Sequence, residues 1–367
     1  MSEADVTPTP PRHVFRWDLD KTYLHTDFDT WIDLVRTAVE KPEGKRTVAG
    51  AGALLRELRA SVPSLLTIVS GSPEQMRNTL EAKLRLDGIR WDEFVLKPSL
   101  QNMLRLRFRA LRDQVGYKLP ALLSARSRTP AHLPETLFGD DAEADALVYT
   151  LYADIVAGRI DDKRLTAVME HANAYPDAIG EVIRLAHQVD RADPVKRIFI
   201  HLERKSDPGF FRRYGPRVVP IFNYFQAALV LARDAVLPAD AAVRVAEVLV
   251  RDAGVAVDDL GRSAADLAAR GHLAPGDLNP VADAVTAGAP TAALGEPARA
   301  ALAAALRDLP PIEGDGAVTS EAPIDHLAAL FEDRARWEGA SRDAKAAKKA
   351  KRKARRGGGG GGDAGGG

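Results

Sequence analysis

Short apolar runs separated by helical patterns constrain this chain more than any other feature. The clearest run is Leu65-Leu66-Thr67-Ile68-Val69, which ends in Ser70-Gly71-Ser72-Pro73. It is short, β-branched, bounded by turn residues and free of polar alternation, so it reads as a strand buried on both faces. Pro73 suits the first turn of a following helix. Val14-Phe15-Arg16-Trp17-Asp18 reads as the first strand, and residues 91–96, 135–139 and 197–202 as the third, fourth and fifth. Helical patterns lie between them, beginning with Trp31, Leu34, Val35 and Ala38 at helical spacing and a second over roughly 51–60. Strand and helix in alternation predict an α/β fold, a Rossmann-like doubly wound parallel sheet with right-handed crossovers.

Two stretches depart from that alternation. Residues about 160–192 form an extra helical pair, with Leu165, Val168 and Met169 on one apolar face and Ile179, Val182, Ile183 and Ala186 on the next. After Pro238 the strand signals stop, and Ala-rich helical segments follow at 240–253, 262–270, 279–286, 295–307 and 324–337. The expected organisation is a catalytic core over 13–238 containing the helical insertion, a helical region over 239–338, and a tail over 339–367. The tail is Lys/Arg/Ala-rich and then glycine-rich, a composition that supports no packed core.

Charge is divided in the same way. The formal net charge is zero, yet residues 342–356 hold nine basic residues and one acid, so the remainder of the chain is at −8. With 46% hydrophobic residues the chain is globular in composition. The absence of cysteine excludes disulfides, thiolate catalysis and Cys-ligated zinc or iron–sulfur centres. The eight histidines show no His-x-His or His-Glu-x-x-His spacing, which argues against zinc. The polar, Pro-rich start lacks an apolar signal core, and no apolar run nears the roughly 18 residues a spanning helix needs. The expectation is a cytoplasmic protein with no transmembrane segment.

Four chemical signals fall at or near the ends of predicted strands: Asp18-Leu19-Asp20-Lys21-Thr22, then Ser70, then Lys118, then Gly139-Asp140-Asp141-Ala142-Glu143-Ala144-Asp145. In an open parallel sheet, ligands bind beyond the carboxyl ends of the strands, where all four would gather. The residue types suit phosphoryl transfer through a carboxylate. Asp18 can attack as nucleophile, and Asp20 can protonate the leaving oxygen and then activate water. Ser70 can bond a phosphoryl oxygen, and Lys118 can neutralise its charge. Asp140, with Asp141 or Asp145, can hold a Mg2+ shared with Asp18. The candidate catalytic set is Asp18, Asp20, Thr22, Ser70 and Lys118; the candidate metal set is Asp18, Asp20, Asp140, Asp141 and Asp145. Lys97, after the third strand, is a rival to Lys118, and His25 lies close enough in sequence to approach a substrate. The Arg- and aromatic-rich stretch from Phe210 to Phe225 reads as a segment packed at the edge of the core, or as a cationic surface for a phospholipid headgroup.

This ordered set resembles the signature of the haloacid-dehalogenase-like phosphatases. It is more closely similar to the catalytic domain of the actin-patch-type phosphatidate phosphatases and their bacterial relatives. The features that carry the likeness are the Asp18-x-Asp20-x-Thr22 motif, Ser70-Gly71-Ser72-Pro73, Lys118, Gly139-Asp140-Asp141, Asp145, Tyr149 and Phe199-Ile200-His201-Leu202-Glu203-Arg204. They cover about residues 13–158 and 194–235. Lys21 departs from the pattern, standing where the closer family usually has Asp and the wider superfamily often Gly. The resemblance implies a Mg2+-dependent phosphomonoester hydrolase working through an aspartyl-phosphate.

Thr22 to Ser70 and Ser70 to Lys118 are each 48 residues apart. Core strands and helices use most of both stretches, leaving no room for the full cap domain that selects small substrates in that superfamily. An open site implies a large or surface-bound substrate: a phosphatidate-like lipid, a phosphoprotein or a nucleic-acid end. The basic tail offers contact with an anionic membrane or nucleic acid. A different class of reading is a non-catalytic module that tethers anionic partners.

Overall fold

Strand β1, His13–Asp18, is buried at all six residues and lies inside a six-stranded sheet of order β3-β2-β1-β4-β5-β6. The other strands are β2 (Ser64–Pro73), β3 (Glu93–Lys97), β4 (Glu135–Asp140), β5 (Val195–His201) and β6 (Val218–Ile221). Every pairing is parallel. The computed structural model describes residues 10–24, 47–97, 111–289, 291–311 and 323–336. The expected helix around Trp31, His25 and the tail from 339 lie outside the described residues.

The helices are α1 (Ala51–Ser61), α2 (Arg77–Leu86), α3 (Leu111–Ser127), α4 (Asp145–Val156), α5 (Asp162–His171), α6 (Pro176–Ala186) and α7 (Tyr224–Arg233). Four more follow: α8 (Ala239–Ala253), α9 (Val257–Ala269), α10 (Asn279–Ala287) and α11 (Glu296–Arg307). Residues 326–336 are also helical. Among the described residues, no helix is long and apolar enough to cross a membrane.

Strand alternation divides the core in two. Phe15, Trp17, Leu66, Ile68, Phe138, Phe199, Val219 and Ile221 face one layer, built from α1, α7 and the C-terminal helices α8–α11. Val69, Leu137, Ile198, Ile200 and Val218 face the other, with α3–α6 and part of the 326–336 helix. The Ala-rich C-terminal helices therefore share one continuous core with the sheet. Across the central strands Trp17, Phe138 and Phe199 stack in register, at centroid distances of 3.9 and 5.1 Å. The extra helical pair appears as α5 and α6. Asp161 caps α5 by accepting from the Arg164 amide at 2.7 Å, and Pro176 opens α6.

Three local features differ from the expectation. β2 does not stop at Ser70; it continues to Pro73, with a register shift between Ser70 and Pro73 against β3. β3 starts at Glu93, because Asp92 turns its carboxylate back to accept from the Leu66 amide at 2.7 Å. The stretch after Phe210 supplies a sixth strand, β6, a four-residue edge strand that contains Pro220. Proline is tolerated there because an edge has no second ladder to serve.

The strand order reverses beside β1. β2 and β3 extend from one side of it, and β4, β5 and β6 from the other. In open α/β sheets such a reversal marks the place, at the carboxyl ends, where ligands bind, and here it falls between β1 and β4. Nearer the amino ends of these strands a buried carboxylate is held by two guanidinium groups. Glu135 bonds Arg16 at 2.8 Å, Arg126 at 2.9 Å and the Tyr152 hydroxyl at 2.7 Å. Burial alone would raise the Glu135 pKa, but Arg16 and then Arg126 and Tyr152 outweigh it, and the pKa is lowered.

Candidate active site

The carboxyl ends are built differently. Past Asp18, Tyr23 and Leu24 return their amides to the Leu19 carbonyl at 3.0 and 2.9 Å, folding residues 19–24 into a tight turn. Lys21 takes the left-handed conformation there, with φ 61°. The turn is held from two sides. The Tyr224 hydroxyl donates to the Thr22 carbonyl, and His201, stacked on Tyr224 at 5.4 Å, lies 3.4 Å from the Lys21 carbonyl.

At the end of β4, Asp140 Oδ1 accepts the amides of Ala142 at 2.6 Å and Glu143 at 3.0 Å, an Asx-type turn. Asp145 then begins α4, and its Oδ2 accepts the Asp140 amide at 3.1 Å. Gly139 makes this return possible. A Cβ at that position would lie 2.6 Å from Asp145 Cβ and 2.7 Å from its Cγ.

Helix α3 delivers Lys118, whose Nζ is 2.8 Å from Asp18 Oδ1, 2.8 Å from Glu143 Oε2 and bonded to Asp145 Oδ1. Thr22 Oγ1 lies 3.2 Å from Asp18 Oδ2 and 3.4 Å from Asp140 Oδ2, so its one proton serves either carboxylate in turn. Asp18, Asp140 and Asp145 each offer a carboxylate oxygen within 4.8 Å of the others.

Asp20 sits beside this cluster. Its Oδ2 accepts from Ser70 Oγ at 2.7 Å and from Ser72 Oγ at 3.2 Å. The Ser72 amide donates to Ser70 Oγ at 3.0 Å, and the Tyr117 hydroxyl to the Ser70 carbonyl at 2.8 Å. The extra residues of β2 past Ser70 thus form a seat for Asp20.

The electrostatics follow from burial and crowding. Burial first, then neighbouring carboxylates, push the pKa values of Asp18, Asp140 and Asp145 upward against the opposing pull of Lys118. Asp20 is raised by burial and then by Glu143. Burial disfavours the Lys118 ammonium, but Asp145, Asp18 and Glu143 outweigh it, and its pKa is raised. Three carboxylates contact one ammonium, the reverse of the Glu135 cluster, where two guanidinium groups share one carboxylate. Asp18 Oδ1 is buried and, although 2.8 Å from Lys118 Nζ, receives no aligned hydrogen bond. Converging hard oxygen donors and excess negative charge are the donor chemistry that a hard cation takes, and Asp18, Asp140 and Asp145 are the residues that could hold one.

Asp18, Lys118, Asp140 and Asp145, taken from four places in the sequence, meet in one cluster, with Thr22 bridging. Asp20 and Ser70 pair next to it. The Asp20 carboxylate and Asp141 lie outside the three-carboxylate group. Asp141 spends its two oxygens on the amides of Arg204 at 2.8 Å and Ser206 at 3.1 Å. Asp145, and not Asp141, brings a carboxylate oxygen to Asp18 and Asp140. Lys97 is 5.9 Å from the Tyr117 ring and is not among the groups gathered around Asp18. Glu143, Ser72 and Tyr224 join the site without having been assigned a role from sequence. Glu143 and Ser72 carried a signal, as members of the Gly139–Asp145 and Ser70–Pro73 motifs. No family model, no curated protein and no solved structure matches the chain.

Proposed function

We propose that the chain is a Mg2+-dependent phosphatase on a haloacid-dehalogenase-like core, hydrolysing a phosphomonoester through an aspartyl-phosphate on Asp18. The observation that carries this reading is the three-carboxylate cluster at the ends of the adjacent strands β1 and β4, with Lys118 inside it. A carboxylate at a strand end, buried with an ammonium and two further acids, is equipped to attack a phosphorus atom that only charge neutralisation makes accessible.

In the first step an Asp18 oxygen bonds to phosphorus as the bond to the leaving oxygen breaks. Asp20, raised by burial, gives that oxygen its proton. In the second step the Asp20 carboxylate takes a proton from water. The hydroxide oxygen bonds to phosphorus, and the bond to Asp18 breaks to release inorganic phosphate. Ser70 and Ser72 orient Asp20 through their hydroxyls, and Lys118 balances charge on Asp18 and the phosphoryl group. Bound between Asp18, Asp140 and Asp145, a Mg2+ ion would supply further neutralisation of phosphoryl charge.

For substrate, the motif resemblance favours a phosphatidate-like lipid over a phosphoprotein or nucleic-acid end, and the basic stretch 342–356 offers a grip on an anionic surface. The test is a Mg2+ screen over phosphatidate vesicles, phosphopeptide, phosphorylated DNA ends and sugar phosphates, with Asp18→Asn as control. Turnover should fall by roughly four or more orders of magnitude in that variant, the scale of losing a covalent nucleophile. Its melting temperature should hold or rise, since one crowded carboxylate becomes neutral. Wild-type turnover in folded Asp18→Asn protein excludes the mechanism. Inactivity of the wild type on every substrate returns the chain to the tethering class.

A further inference from the structure

The helix over 326–336 returns from the far end of the chain and docks beside the acidic loop. Leu330 is fully buried, the Tyr214 hydroxyl donates to Asp333 at 2.7 Å, and His326 Nε2 lies 2.8 Å from Asp154 Oδ2. These contacts seat the helix independently of Arg336. Arg336 then reaches toward the site. Its Nη1 donates to Ser206 Oγ at 2.9 Å and its Nη2 to the Asp141 carbonyl at 3.3 Å, with the guanidinium 4.3 Å from the centre of the Phe210 ring.

Both partners belong to the fastening of one turn. Asp141 directly follows Asp140. Its amide donates to the His201 carbonyl at 3.0 Å, and its carboxylate accepts the Ser206 amide. Arg336 therefore closes a ring with Ser206 and Asp141, tying the β4 turn to the loop after β5. We propose that Arg336 is a positioning residue that holds the Asp140–Asp145 turn in the arrangement where both acids face Asp18. The proposal rests on the reading of that cluster as a metal site, and Arg336 acts through Asp141 without touching a reacting atom. Two diverging donors on a rigid plane span a hydroxyl and a carbonyl on different loops, which the flexible ammonium of a lysine does less well.

The test uses the full chain, wild type against Arg336→Ala, Arg336→Lys and Ser206→Ala, with Mn2+ as the bound probe and amide exchange as a second readout. In Arg336→Ala the Mn2+ dissociation constant should rise roughly ten-fold, the lower end for residues that orient ligands from outside. Amides over 139–145 and 204–206 should exchange faster, while those of β1 and β2 stay unchanged. Arg336→Lys should recover part of both effects, and Ser206→Ala should show a smaller change of the same kind. Unchanged Mn2+ affinity with unchanged exchange over 139–145 would overturn the proposal. A rise in exchange spread evenly over the sheet would also overturn it, since that marks general stability. If wild-type protein binds no Mn2+, the metal reading fails, and localised exchange in Arg336→Ala still decides whether the turn is held from this helix.

Discussion

Replacing Gly139 by alanine tests the geometry of the site with a single methyl group. Gly139 sits inside β4 and is not among the glycines with positive φ, so alanine is permitted by the backbone. The penalty is contact alone. The new Cβ would lie 2.6 Å from Asp145 Cβ and 2.7 Å from its Cγ, against roughly 3.5–4.0 Å for carbon atoms at rest. Asp145 must move by about 1 Å. It is pinned by Lys118 and by the Asp140 amide, so either those bonds stretch or β4 shifts. Overpacking of this kind costs about 1–3 kcal/mol. A melting temperature lower by several degrees should follow, measured by calorimetry in chelator. The same displacement pulls one acid from the cluster, so Mn2+ affinity should fall together with stability. A Gly139→Ala protein that melts and binds Mn2+ as wild type does would refute the argument that Asp145 is held against the strand end.

Three other outcomes follow from the structure. Asp140→Ala should raise the Mg2+ requirement for phosphate release by more than the roughly 10–100-fold typical of outer partners, and full activity after exhaustive chelation would exclude a metal role. His272 is held down to about 3 by burial and then by Arg270, Arg197, Arg233 and Arg212. The unfolded chain takes up that proton near 6.5 and the native state does not, so this histidine lowers stability as pH falls from about 6.5 toward 3. His272→Gln should flatten the profile by up to about 1.4 kcal/mol per pH unit within that window, and parallel wild-type and variant curves from urea titrations would reject the assignment. Lys21 has φ 61°, so Lys21→Gly should be more stable than Lys21→Ala by roughly 1 kcal/mol; both remove the charge, and equal stabilities in denaturant would mean the turn relaxes.

Much of this protein was determined by local sequence. β1, β2, β4 and β5 hold short apolar runs between turn residues, and because successive side chains point to opposite faces, such runs need a sheet buried on both faces. Asp18 and Asp140 were legible for the same reason, because a strand end aims its last residues at one edge whatever the rest of the fold does. The sixth strand was not legible, since four residues containing Pro220 become a strand only when β5 supplies a ladder beside them. Side-chain direction within the acidic turn was also left to the tertiary structure. Asp141 and Asp145 are equivalent by residue type, but the bond from the Asp141 amide to the His201 carbonyl places the Asp141 carboxylate among the amides of 204–206. The absent Cβ of Gly139 lets Asp145 fold back to Lys118. Arg336 meets Asp141 across 195 residues of sequence, a contact that no local pattern encodes. Strand periodicity is a property of neighbouring residues, whereas the choice of partner for a turn's polar groups is settled by whichever distant backbone packs against it.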